Sequence, residues 1–178
     1  MAFIALLVIA LVAVVLSGRW AYHKGVLLET AKANAEALVR WAEAVASEND
    51  KDGPLPIALC ASSPAKAAGP AVPAPVPGKA ATWSSCREAL LSPGGPLADL
   101  VNPFDRFNLV TGSKCERKTP LSRGLVVLEK GTAAPPGMPA GMTWTGLADD
   151  EPLVRGLVLR VQVCDEGGYP LRIAELKL

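Results

Sequence analysis

The sequence predicts an α+β protein: a long N-terminal helix, apolar in its first half and amphipathic in its second, packed on a small antiparallel β-sheet head with long Pro/Gly loops. Three observations carry that expectation. No charged side chain precedes Arg19. A single apolar stripe then continues at helical spacing to Val45, and residues 157–178 alternate in the manner of two strands joined by a turn. With 178 residues, one globular domain plus an appendage is the natural size. Sixteen glycines and sixteen prolines supply too many turns for a helical bundle.

The first element is the run from Met1 to Gly18, which is aliphatic, aromatic or small throughout. It is about long enough to cross a bilayer, which takes roughly 17–25 apolar residues. A secretory signal would place basic residues ahead of such a run. None stands there, so the segment reads either as a membrane helix lacking that flank or as a mature chain whose charged leader has been removed. Behind it comes SGRWAYHKG. Gly18 and Gly25 each cost a helix about 1 kcal/mol relative to alanine, so a local unwinding or kink is expected near them. Trp20 and Tyr22, next to Arg19 and Lys24, fit an interfacial aromatic belt, and the single histidine, His23, belongs to the same boundary.

The second element is amphipathic. Leu28, Ala31, Ala35, Leu38, Ala42 and Val45 form one stripe at intervals of three and four. Glu29, Lys32, Glu36, Arg40 and Glu43 occupy the opposite side, with Lys32/Glu36 and Glu36/Arg40 one turn apart. Gly53-Pro54 ends the signal. One continuous rod of about 50 residues would measure roughly 75 Å, with its C-terminal half on the head and its N-terminal half projecting.

Within the head, residues 61–82 are a Pro/Ala low-complexity loop of polyproline character. A short helix is expected over Ser84–Leu91, capped by Ser84 or Ser85. Residues 102–108 read as turn, 123–130 as a short strand, and 130–144 as a second Pro/Gly loop. From Leu157 to Cys164 the odd positions are apolar, the mark of a half-buried strand. Asp165–Gly168 makes the turn and Tyr169–Leu178 returns. The apolar parity of the returning strand switches from Leu171 and Ile173 to Leu176 and Leu178, which predicts a bulge near Ala174.

Cys60, Cys86, Cys115 and Cys164 include neither a CxxC nor a Cys/His cluster, so a zinc site is a weak reading. An even count favours two disulfides, and three pairings are open. Order along the chain alone suggests Cys60–Cys86 and Cys115–Cys164, with four free thiols as the alternative. Charge is nearly balanced, 18 basic against 17 acidic residues, which argues against nucleic acid as a partner. No base lies near a candidate nucleophile, and no Gly-rich phosphate loop follows a strand. The acidic groups Asp149-Asp150-Glu151 and Asp165-Glu166 match no calcium loop and read as solvated turns. An enzyme is not expected, nor any cofactor or metal.

This plan of apolar helix, amphipathic helix and cysteine-bearing sheet head resembles the type IV pilin family and the related pseudopilins. The resemblance implies removal of a basic leader by a prepilin peptidase and methylation of the new N-terminus. Met1 with Phe3 is similar to the class b start. It further implies a helical homopolymer formed by the pilus assembly machinery from subunits stored in the inner membrane, and hence a cell-surface filament with a role such as adhesion. A Cys115–Cys164 pair would resemble the family's D-region loop. The family usually has a glutamate at the fifth position, and here that position is Ala5.

On this reading residues 1–25 form the membrane or filament-core segment, 26–52 the helix packed on the head, and 53–178 the head, with a β-hairpin over 157–178. Assembly would fall to Met1, Phe3, Ile4, Leu6, Leu7, Ile9, Leu11, Val14 and Leu16. Packed among copies, these side chains would bury enough apolar surface to stabilise each subunit by many kcal/mol, at about 25 cal/mol per Å². A repeated head-to-tail contact makes an open helical polymer. The alternatives are a single-pass minor pseudopilin, or an accessory binding protein of an envelope secretion or pilus machine. Arg19, His23 and Lys24 on the C-terminal flank would by themselves put the head in the cytoplasm, unless a basic leader once stood in front.

Overall fold

The computed structural model describes residues 2–48, 60, 81–105, 109, 111–112, 114–134 and 141–178. Met1, the stop at Gly53-Pro54, nearly all of the 61–82 loop and part of the 130–144 loop lie outside the described residues. The architecture is α+β. Helix α1 (Ala2–Glu48) packs on a five-stranded mixed sheet, with a second helix, α2 (Trp83–Leu91), at the side.

The unwinding expected at Gly18 and Gly25 is absent, because α1 is continuous through both. Each glycine lies well inside the helix, with several helical turns on either side, and a Cβ at either would meet nothing within 4 Å. No neighbour pulls the backbone out of register, and about 1 kcal/mol per glycine is too little to break a helix of 47 residues.

The amphipathic half does what its stripe predicts. Ala31, Ala35, Leu38, Ala42 and Val45 are buried in the main core, and Val39 and Trp41 widen the contact. Small residues at 31, 35 and 42 let the helix approach the sheet closely. Asn34 is also buried there, and its Nδ2 donates to the Val101 carbonyl at 2.9 Å, which satisfies a polar group in an apolar contact.

The sheet is built from β1 (Thr111–Gly112), β2 (Val126–Ala133), β3 (Met142–Gly146), β4 (Val158–Cys164) and β5 (Pro170–Lys177). One edge of β2 pairs antiparallel with β4, and β4 with β5. The other edge pairs parallel with β1 at Val126 and Val127 and antiparallel with β3 from Glu129 onward. The sheet is therefore mixed rather than purely antiparallel, by one two-residue pair. Val126 and Leu128 of β2 and Leu159, Val161 and Val163 of β4 face α1.

The C-terminal hairpin stands where its alternation puts it. Its register shifts so that Val161 faces Ala174 and Gln162 faces Arg172, leaving Ile173 as the extra residue. That single insertion keeps Leu171 opposite Val163 and Leu176 opposite Leu159, which explains the parity switch. β5 runs alongside α1: the β4–β5 turn reaches Lys24, while Lys177, Leu178 and Ala46 line one cleft at the far end.

Three local expectations are corrected. Thr82, not Ser84 or Ser85, caps α2, and its hydroxyl accepts from the Ser85 amide in a capping box. The strand expected at 123–130 begins at Val126 and runs to Ala133, because Gly124 takes φ +69° in a turn against Asn102. The 130–144 segment carries the end of β2 and the start of β3. Only residues 135–140 of it fall outside the described residues.

Disulfides join Cys60 to Cys86 and Cys115 to Cys164. Bridges spanning 26 and 49 residues stabilise a head of this size by about 3–4 kcal/mol each in the chain-entropy picture.

Leu38 is fully enclosed between helix and sheet. Leu38→Ala is expected to destabilise the head by about 2–5 kcal/mol, measured by denaturant unfolding of the detergent-solubilised chain. A change below about 0.5 kcal/mol would show that α1 does not pack on the sheet as described.

Candidate membrane and assembly surface

The two halves of α1 have opposite surroundings. Every large side chain described from Phe3 to Leu16 is more than half exposed, Phe3 by 75%. They surround the helix on all sides, so no polar face is left to turn toward water. A helix apolar all round is stable only inside something apolar. Eleven large side chains at on the order of 100 Å² each make an apolar surface of about 1,000 Å², well beyond the largest patch on an ordinary monomer.

Its dimensions fit a bilayer. The helix has a span long and apolar enough to cross a membrane, with mean hydropathy 2.4 over its best window. From Ala2 to His23 the rise is about 33 Å, against a hydrocarbon core of about 30 Å. The polar side chain inside the run is satisfied internally, because the Ser17 hydroxyl donates to the Val14 carbonyl at 3.0 Å. The helix is thus compatible with membrane anchoring.

Phe3, Ile4, Leu6, Leu7, Ile9, Leu11, Val14 and Leu16 all lie on this exposed surface, and Met1 is outside the described residues. Ala5 is exposed among them. Gly18 and Gly25 sit within the unbroken helix at its upper border.

Where the apolar run ends, a collar begins. Trp20 and Tyr22 are exposed. The Lys24 ammonium lies 3.4 Å from the Trp20 ring centroid and 2.6 Å from a Glu166 carboxylate oxygen. Glu166 belongs to the β4–β5 turn, so this contact ties the head to the helix at the collar. The turn is itself well determined. Asp165 Oδ1 accepts from the amides of Gly167 and Tyr169, both at 2.8 Å. Gly168, at φ +77°, packs so closely on the backbone of Glu116 and Arg117 that no Cβ would fit.

Asp149, Glu151, Asp165 and Glu166, weighed as calcium ligands, are engaged otherwise. Asp149 takes Arg87 in a two-pronged pair at 2.9 and 3.4 Å, and Glu151 takes Lys130 at 2.7 Å. Among the described residues no group of three acids, histidines or cysteines is placed to hold a metal ion.

The sheet face away from α1 carries a polar network that the sequence alone did not reveal. Arg160 stacks on Trp144, 3.7 Å from its ring centroid, and pairs with Glu175 at 2.9 Å. Gln162 Nε2 donates to Glu129 at 2.7 Å, and Arg172 reaches Glu175 at 3.1 Å. The signal was present as alternation: Arg160 and Gln162 occupy the off-core parity of β4, but their partners come from other strands. The Trp144 ring covers Gly131 on the neighbouring strand.

No family model, curated protein or solved structure matches the chain.

Hydrogen bonding from Arg160 holds the Glu175 carboxyl below its ordinary value; desolvation opposes it, and the Arg172 hydrogen bond and the charges of both arginines add to the lowering. A depressed carboxylate contributes stability that is complete above its unfolded pKa of about 4.3 and lost as pH falls through the folded value. The acid-induced loss of head stability is therefore expected to be smaller in Glu175→Gln than in the parent, measured by unfolding between pH 5 and pH 2. Parallel pH profiles for the two would contradict this role.

Proposed function

We propose that this chain is a structural subunit of a type IV pilin-like filament, held in a membrane through its N-terminal helix and polymerised through the same surface. The observation that carries the reading is the division of α1. Its second half is sealed into the head, and its first half projects with apolar side chains on every side. Lipid satisfies that surface before assembly, and the apolar helices of neighbouring copies satisfy it afterwards. Identical copies meeting through non-identical faces extend into an open helix. Two disulfides in the head support an oxidising compartment outside the cytoplasm, as a surface filament requires. The part assigned to the chain is assembly rather than catalysis.

Ala5 sets a condition on the mechanism. If a terminal amine of a neighbouring copy stands there, then with no carboxylate at that position it is hydrated, paired with a carbonyl, or left as a buried cost. Assembly would then rest chiefly on apolar contact rather than on a carboxylate–amine pair.

A second reading, a single-pass anchored pseudopilin or accessory protein, draws on the collar. Trp20, Tyr22 and Lys24 would hold one copy at a lipid interface without any polymer.

Microscopy of sheared cell-surface material separates the two readings. The parent chain is expected in filaments. Leu7→Asp should abolish them, since a carboxylate in an apolar bundle or bilayer centre costs about 3 kcal/mol, while the head keeps both disulfides. Filaments of normal length from Leu7→Asp would contradict the proposal, and a parent chain recovered without any filament would favour the single-pass reading.

A further inference from the structure

The loop from Lys114 to Leu121 touches the core only through Cys115, which packs with Leu125, Val127 and Cys164, yet it is held in a fixed place. Cys115 is bonded to Cys164 at the end of β4. The Lys118 amide donates to the Gly167 carbonyl at 3.2 Å, and the Arg117 guanidinium lies 4.9 Å from the Tyr169 ring centroid. Gly168 rests on the Glu116 and Arg117 backbone. The loop is thus stapled to the β4–β5 turn, whose Glu166 touches Lys24 on the collar. It belongs to the end of the head nearest the apolar half of α1.

This loop combines an exposed apolar side chain, a group of exposed cations and a residue in a left-handed backbone conformation. Leu121, in the short 3-10 turn Pro120–Ser122, is 83% exposed, the most exposed large apolar side chain among the described residues. Lys114, Arg117 and Lys118 are exposed beside it, with Glu116 partly offsetting them through a 3.3 Å pair to Lys114. Lys118 sits in the left-handed region at φ 62°, a backbone conformation that side chains other than glycine rarely adopt.

We propose that this loop is a second membrane contact: its cations bind the anionic headgroups of phospholipids beside the anchor, and Leu121 enters the interface. The distances allow it. With the span running from Ala2 to about His23, Lys24 and the turn it holds stand at the headgroup layer, which is about 5–7 Å deep. Cations on a loop stapled to that turn are then placed within a Debye length, about 8 Å, of the headgroup charges. Exposed cations with one apolar side chain are the chemistry of a peripheral lipid contact. The inference rests on the membrane-anchoring part of the function proposed above and is independent of polymerisation.

The test is hydrogen exchange of the full chain reconstituted in nanodiscs of phosphatidylcholine alone or with phosphatidylglycerol. Protection of residues 3–16 in both lipids reports insertion of the anchor. Amides of 116–122 are expected to exchange about tenfold more slowly in the anionic discs, with the difference erased near 1 M salt. The double variant Lys118→Glu/Leu121→Ser should lose the difference while core amides of β2 and β4 stay protected. Equal loop exchange in the two lipids, or a full anionic effect in the double variant, overturns the inference and leaves the anchor standing. An unprotected 3–16 segment overturns both.

Discussion

The structure depends on one helix that must be covered along its whole length by two different partners. Residues 28–45 present a single stripe, and one sheet face covers it. Residues 3–16 present apolar atoms in every direction, and no described residue covers them. A sheet can seal a stripe but not a cylinder. The front of α1 therefore demands a surrounding medium or several copies, and the folded head cannot supply either. At about 25 cal/mol per Å², the unsatisfied surface is worth more than the whole stability of an ordinary domain.

The head is organised around the same helix. β5 lies along it, the β4–β5 turn meets Lys24 at one end, and Leu178 shares a cleft with Ala46 at the other. The Cys115–Cys164 bridge fixes the 114–121 loop to that turn. Cys60–Cys86 ties α2 to a distant part of the chain. The head thus meets the apolar rod through a base of determined geometry rather than a loose tether. That arrangement suits a subunit whose helix positions its head, whether against lipid or against neighbouring heads.

Much of this was legible in the sequence because it rests on periodicity. The stripe from Leu28 to Val45, the alternation of β4 and the parity switch near Ala174 each translate directly into burial. What periodicity does not encode was missed. The cap at Thr82 depends on where the backbone enters α2, which the Pro/Ala stretch ahead of it obscures. The start of β3 reads as the end of a Pro/Gly loop because only four residues stand between Gly141 and Gly146, and its pairing partner is needed to see it as a strand. The glycines of α1 were given too much weight, since propensity counts for little where neighbouring turns agree. Lys24–Glu166 and Arg160–Trp144 join positions far apart in the chain, and nothing local marks either residue for the other. The apolar rod itself was the clearest feature of all, although sequence and fold reveal only that it must be covered.

What covers it is the central question, and photo-crosslinking answers it most directly. A photoreactive amino acid placed at Leu7 of the full chain, irradiated in intact cells, should yield a ladder of multimers of this chain. The ladder should collapse when Leu11 on the same rod is changed to aspartate. Adducts with lipid alone, from cells in which the chain is abundant, would contradict the claim that copies of the helix pack on one another.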